Sequence, residues 1–316
     1  MDDQRGVTVS KMSVSNGLES TRSQTSRTGR AAPPGVEPTR LRKWFIPTAS
    51  TALFILGALI FAAPLLIVLV SAIQPNMDLM TRGPAALPER FTLGNFSSAW
   101  TQADLAQFYR NSLLILVVKV PLGILLTSLA AYPIATMRFR SRKTIFVLVL
   151  IGLGVPQVIT LYPLLLMVSH IGLGGSVWSL LLPYLAFGTP LEILVMRGAF
   201  ASIPRELLEA ARVDGASDLY VWARICMPMV VPAIASLAIL DGVSTWNEFV
   251  IALALLTNES SYTLPLGIFN LLGTFAQTND AQLEAGTLIC IIPMIILFFV
   301  SRRYLIRGMA AGALKG

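Results

Sequence analysis

The sequence predicts an all-α, polytopic membrane protein with six transmembrane helices, and three observations carry that prediction. The first is composition: 54% of residues are hydrophobic and 13% charged, with a mean hydropathy of +0.69, whereas a soluble domain is about 25% charged. The second is the gathering of apolar residues into six runs, approximately Ser50–Ile73, Leu113–Thr136, Thr144–Val168, Val177–Met196, Met229–Leu256 and Leu283–Val300. At 1.5 Å per residue most of these can cross a hydrocarbon layer of about 30 Å. The third is the placement of the 24 Lys and Arg residues. Twenty fall in the segment up to Lys43, in Arg138–Lys143, in Arg197–Pro228 and after the last run. The positive-inside rule therefore expects both termini and those connections in the cytoplasm, with Phe91 and Ser261 outside.

Composition also excludes function classes. A net charge of +7 is compatible with nucleic-acid binding, but the basic residues are dispersed between apolar runs and no aromatic-basic cluster exists, so no nucleic acid is expected. Cys226 and Cys290, the only cysteines, stand at a boundary and inside the last run and are not expected to pair. No GxxxxGK[ST] loop occurs, so any ATP chemistry belongs to another chain.

Taken in order, residues 1–43 are rich in Ser, Thr, Arg, Gly and Pro and read as a disordered cytoplasmic tail. The first apolar run starts too late and runs too long for a cleaved signal peptide, so it is expected to stay attached. Residues 44–316 form the membrane domain. Its second run contains Lys119, expected to snorkel along its stem to the membrane surface or to find a partner. Its fourth carries Pro183 and Pro190, tolerable where neighbouring helices satisfy the freed carbonyls.

The polar stretch 197–228 predicts a helix pair. Ser202 suits an N-cap and Pro204 a first turn, and Leu207, Leu208 and Ala211 fall on one helical face. Gly215 can take the positive φ that ends a helix, and Ser217 can cap a second one through Leu219 and Trp222 towards Pro228. An ordered pair with small side chains and a charge at Glu209, held outside the bilayer, reads as a docking knob.

The fifth run is polar in its middle. Asp241, Ser244, Thr245 and Glu248 share one face at 100° per residue, either as the wall of a hydrophilic pathway or as a helix interface hydrogen-bonded to a neighbour. Trp246 offers a ring to stack on a sugar or to pack, and Asn247 adds a further polar group. His170, the sole histidine, falls in a short external turn with no partners at metal-ligand spacing, so neither a metal site nor catalytic residues are expected. The connection Thr257–Gln282 lacks Lys and Arg and reads as an external loop.

Glu209-Ala210-Ala211, with Asp214-Gly215 after it and Ile225 and Pro228 beyond, resembles the EAA loop of binding-protein-dependent ABC importer permeases. Further similarities lie in Asn111-Ser112-Leu113, Ala130-Ala131-Tyr132-Pro133, Trp246-Asn247-Glu248-Phe249, Thr263-Leu264-Pro265 and the terminal Gly312-Ala313-Leu314-Lys315-Gly316. Together they are similar to the carbohydrate, maltose-permease branch over about Leu41 to Gly316. The departures are the longer tail, Cys226-Met227-Pro228 for the more usual x-Leu-Pro, and the charge at Lys119.

The resemblance implies a type I ABC importer permease (MetI-like) fold and one permease subunit of an importer for a sugar, oligosaccharide or related polyol. It implies a homologous second permease, two ATPase subunits docked at Glu209, Ala210, Ala211, Asp214 and Gly215, and an extracytoplasmic substrate-binding protein. The chain itself would bind no cofactor, ATP and Mg sitting on the ATPase. The alternatives are an importer permease for a non-sugar solute, or a secondary transporter using Asp241 and Lys119 as coupling charges. The second usually comes with internal repeats, and none is evident between the halves.

Overall fold

The computed structural model describes residues 40–313 apart from 85, 103 and 276–278. The chain divides into two units, residues 1–57 and 58–316. Of the first unit only residues 40–57 are described, so the tail expected over residues 1–43 lies almost wholly outside the described residues. Its last residues are helical, since α1 runs Arg40–Ala72.

Every regular element among the described residues is helical. After α1 come α2 (Asn76–Arg82) and α3 (Gly94–Gln102), then α4 (Leu105–Thr136), α5 (Arg142–Ile151), α6 (Gln157–His170), α7 (Leu181–Ala201) and α8 (Arg205–Val213). The remainder is α9 (Asp218–Tyr220), a π-helical turn Val221–Cys226, α10 (Met227–Met229), α11 (Val231–Asn247), α12 (Val250–Leu255), α13 (Leu264–Phe275) and α14 (Asp280–Ala313). Among the described residues four segments are long and apolar enough to cross a membrane, and two bent pairs bring the number to six if each pair is one span.

The bends depart from the six straight runs and have local causes. The run expected over Thr144–Val168 turns by 100° between α5 and α6. Gly152-Leu153-Gly154 tightens into a 3₁₀ turn, and Val155, preceding Pro156, is extended with ψ 112°, as the proline ring requires of its neighbour. A second bend of 78° separates Asp218–Met229 from α11. The run expected to continue to Leu256 also breaks at Glu248, extended with ψ 128°, whose carboxylate accepts from the Ile251 and Ala252 amides that start α12, at 2.7 and 3.1 Å.

Within residues 58–316, α7 packs on α4, and α11 on both. One core cluster gathers Tyr132, Met196, Phe200, Leu208, Val221 and Leu237; a second Ile115, Val168, Tyr184, Ile251 and Leu255; a third Leu105, Phe108, Trp246, Leu264 and Ala285. The connection expected as an external loop contains α13, whose Leu264, Leu266 and Leu271 are buried. At 12 residues it reaches about 18 Å, too short to cross. Asn111 and Ser112 tie it to α4: the Asn111 amide donates to Ser260 and Tyr262 carbonyls, both at 2.9 Å, and the Ser112 hydroxyl accepts from Leu264 N at 2.8 Å. Asn95 likewise donates to the Ala72 and Gln74 carbonyls at the end of α1, both at 2.8 Å.

Candidate functional site: a buried charge cluster and an exposed helical corner

Lys119 on α4, Glu192 on α7 and Asp241 on α11 meet where the three helices pack. The Lys119 ammonium donates to Glu192 Oε1 at 3.1 Å and to Asp241 Oδ1. Lys119 and Glu192 are each 2% exposed and Asp241 8%. A lone charge taken from water costs several kcal/mol, about what a well-placed opposite charge returns, so the cluster exists only as a set.

The neighbours leave space for it. A Cβ on Gly188 would stand 2.6 Å from Glu192 Oε1 and 2.7 Å from Lys119 Nζ, and one on Gly123 would stand 3.1 Å from Glu192 Oε2. These glycines lie one turn from Glu192 and from Lys119, the spacing that puts them on the same helix face. Thr127, a turn beyond Gly123, places its hydroxyl 3.0 Å from Glu192 Oε2. Among the described residues Asp241 Oδ2 has no hydrogen-bond partner.

Beside the cluster lies a cavity of ≈ 200 Å³ bounded by residues of the first two core clusters, including Tyr184, Phe187, Leu237 and Ile251. Asp241, Ser244, Thr245 and Glu248 all line it, so the face predicted from helical spacing is one face in the structure. Trp246 and Asn247 point elsewhere. Trp246 is 3% exposed in the third core cluster, edge-on to Tyr109 and donating to the Cys290 carbonyl at 3.3 Å. Asn247 is exposed and donates to Val243 O in its own helix. Glu248 is held by Tyr184, whose hydroxyl donates to Oε2 at 2.6 Å, as well as by the α12 amides.

The snorkelling expected of Lys119 is corrected: its ammonium turns inward because two carboxylates wait there. Glu192 was missed, although the signal was available. It is a carboxylate inside an apolar run and the only acidic residue between Asp104 and Glu206.

The second site is the corner after α7. Ser202 is no N-cap; its hydroxyl donates back to Ala199 O at 2.8 Å and ends α7. Pro204, extended at ψ 131°, precedes α8. Gly215 has φ +82°, with Gly215 N donating to Arg212 O and Ala216 N to Ala211 O, both at 3.0 Å. That pair of bonds is the Schellman stop, which satisfies the helix's last carbonyls. Ser217 accepts from Tyr220 N at 3.3 Å and caps the next helix. Arg212 and Asp218 bridge the corner at 3.0 Å, and the hydrogen bond to Asp218 raises the pKa of Arg212 above its ordinary value.

Leu208 is buried and Ala211 half-buried against the core, but Leu207 is 42% exposed, so α8 anchors by a narrower face than predicted. Glu209, Ala210, Asp214 and Gly215 are exposed, as are Val213, Leu219 and Tyr220. Among the described residues no group of His, Cys, Asp and Glu could hold a metal, and both cysteines are free thiols.

Comparison with known proteins identifies the family of the chain. A family model described as "Binding-protein-dependent transport system inner membrane component" matches residues 120–310. The probable ABC transporter permease protein YurM of Bacillus subtilis (strain 168) is 34% identical over 276 residues, 87% of this chain and 91% of the relative. The arabinooligosaccharides transport system permease protein AraQ of Halalkalibacterium halodurans is 34% identical over 262 residues, 82% of this chain and 93% of the relative. A crystal structure of a bacterial ABC transporter that imports the acidic polysaccharide alginate shares the fold, with a TM-score of 0.70 at 23% identity, covering 84% of this chain and 98% of that one. The chain therefore belongs to the family of binding-protein-dependent transport system inner membrane components, the permease subunits of ABC importers.

Proposed function

We propose that this chain is one of two permease subunits of an ATP-driven importer for a saccharide or related polyol, delivered by an extracytoplasmic binding protein. Both termini and the α8–α9 corner lie in the cytoplasm, where two ATPase subunits carrying ATP and Mg dock. Glu209, Ala210, Ala211, Asp214 and Gly215 form the seat, and Asp241, Ser244, Thr245 and Glu248 line part of the substrate path. The observation that carries this reading is the run of relatives over most of the chain, named as permeases for arabinooligosaccharides, alpha-glucosides and melibiose, raffinose and stachyose. The exposed, internally braced corner supports the coupling role, because a rigid unit transmits a push that a flexible loop would absorb.

In this mechanism ATP closes the ATPase pair, the docked corner moves with it, and α4, α7 and α11 turn their shared cavity towards the binding protein. The chain hydrolyses nothing; its part is to bind, gate and couple. Reconstitution with its partner subunits in proteoliposomes tests the reading. Saccharide uptake should require ATP, the ATPase and the binding protein together. Uptake that persists without the ATPase, driven by an ion gradient, would replace this reading with a secondary transporter.

A further inference from the structure

We propose that the cavity at Lys119, Glu192 and Asp241 is a subsite for a single uncharged sugar unit, and that it turns away sugars bearing a carboxylate; the proposal rests on the saccharide-importer reading. Three observations set the chemistry. Among the described residues Lys119 is the only basic one lining the cavity, and it is already shared between two carboxylates. Glu248 adds a third carboxylate at the wall, with Tyr184 and two backbone amides as its donors. Asp241 Oδ2 has no donor among the described residues although the residue is 92% buried.

A buried acceptor without a donor is costly and gains from any hydroxyl brought to it. A sugar ring supplies several. Phe187, Leu237 and Ile251 give the same cavity apolar wall for the C–H face of the ring. At ≈ 200 Å³ the cavity is smaller than the usual ligand pocket of about 300–1,000 Å³, which suits one sugar ring better than a longer saccharide. A uronate would find no uncommitted cation, and its charge would be buried beside carboxylates. The same position therefore favours a hydroxymethyl group and opposes a carboxylate.

The test compares methyl β-D-glucopyranoside with methyl β-D-glucuronide, which differ only at C6. Binding of each is read by saturation-transfer NMR on the assembled permease–ATPase complex in nanodiscs, without ATP or binding protein. The glucoside should bind and the glucuronide should bind at least about tenfold more weakly. Asp241→Asn, which keeps the side-chain shape and removes one charge, should narrow that difference. Ser244→Phe, on the exposed rim of the cavity wall, should abolish glucoside binding while the complex still assembles on gel filtration; this second variant stands by itself if Asp241→Asn fails to assemble. Equal or tighter glucuronide binding by the unaltered complex would overturn the proposal. So would glucoside binding untouched by Ser244→Phe, or no binding of either probe. ATP-driven saccharide uptake without the C6 preference would remove the subsite alone, whereas the preference without ATP-driven uptake would remove the importer reading alone.

Discussion

The Arg212–Asp218 pair at the corner and the Lys119–Glu192–Asp241 cluster among the spans use the same kinds of charge for opposite purposes. At the corner both partners stay in water, at 38% and 53% side-chain exposure, so breaking the pair returns each group to solvent at little cost. In the cluster Lys119 and Glu192 are each 2% exposed and Asp241 8%, so loss of one charge strands the others. Solvent access, more than the number of hydrogen bonds, therefore decides which charges hold the structure. The corner can be exposed because its shape comes from backbone bonds at Gly215 and from Leu208 packed inward.

The hardest test of this contrast is removal of Lys119. Lys119→Met leaves two carboxylates facing each other without a counter-charge, and a loss of about 3–5 kcal/mol is expected, read as a lower unfolding temperature of the purified protein in detergent. Replacing the set together, Lys119→Met with Glu192→Leu and Asp241→Leu, should recover most of that stability and abolish saccharide transport. A single variant as stable as the parent would mean that the cluster is hydrated and unlike what its burial states.

At the corner, Gly215→Val has open space around the new side chain, so its cost is the positive φ alone, about 1–3 kcal/mol. Membrane insertion should be normal, and the defect should appear as weaker ATPase co-purification or as ATP hydrolysis no longer tied to uptake. Normal coupling in this variant would remove the corner from the mechanism.

Glu248→Ala takes the acceptor from the first amides of α12 and should cost about 1–2 kcal/mol, the range of a lost N-cap. Hydrogen exchange at Ile251 and Ala252 should speed up while α11 is unchanged. Unaltered exchange at both amides would show that the break at Glu248 is held by tertiary packing alone.

The smallest effect is expected at Arg212. A double-mutant cycle on Arg212→Ala and Asp218→Ala should give a coupling under about 1 kcal/mol that declines further with salt. A coupling as large as that of the buried cluster would erase the distinction between the two regions.

Legibility in the sequence follows the distance over which each feature is determined. Gly215 and Ser217 could be assigned because a helix stop and a cap depend on a few adjacent residues, and the structure places both as read. Ser202 was misassigned since a hydroxyl between two helices can serve either, and it serves the first. The 100° turn at Val155-Pro156 carried a local signal, an X-Pro after two glycines, hidden by reading hydropathy without backbone chemistry.

By itself the sequence determined that the chain is a multi-pass membrane protein, where its apolar runs lie, and that a helical corner stands between two of them, because hydropathy, capping and positive φ are properties of short stretches. Tertiary structure alone decided that Lys119 meets Glu192 and Asp241, 73 and 122 residues away, that Trp246 packs while Ser244, Thr245 and Glu248 line a cavity, and that α13 folds into the core. Those outcomes depend on which helix faces which, and in a bilayer, where most faces are apolar, it is the few buried polar groups that must find one another.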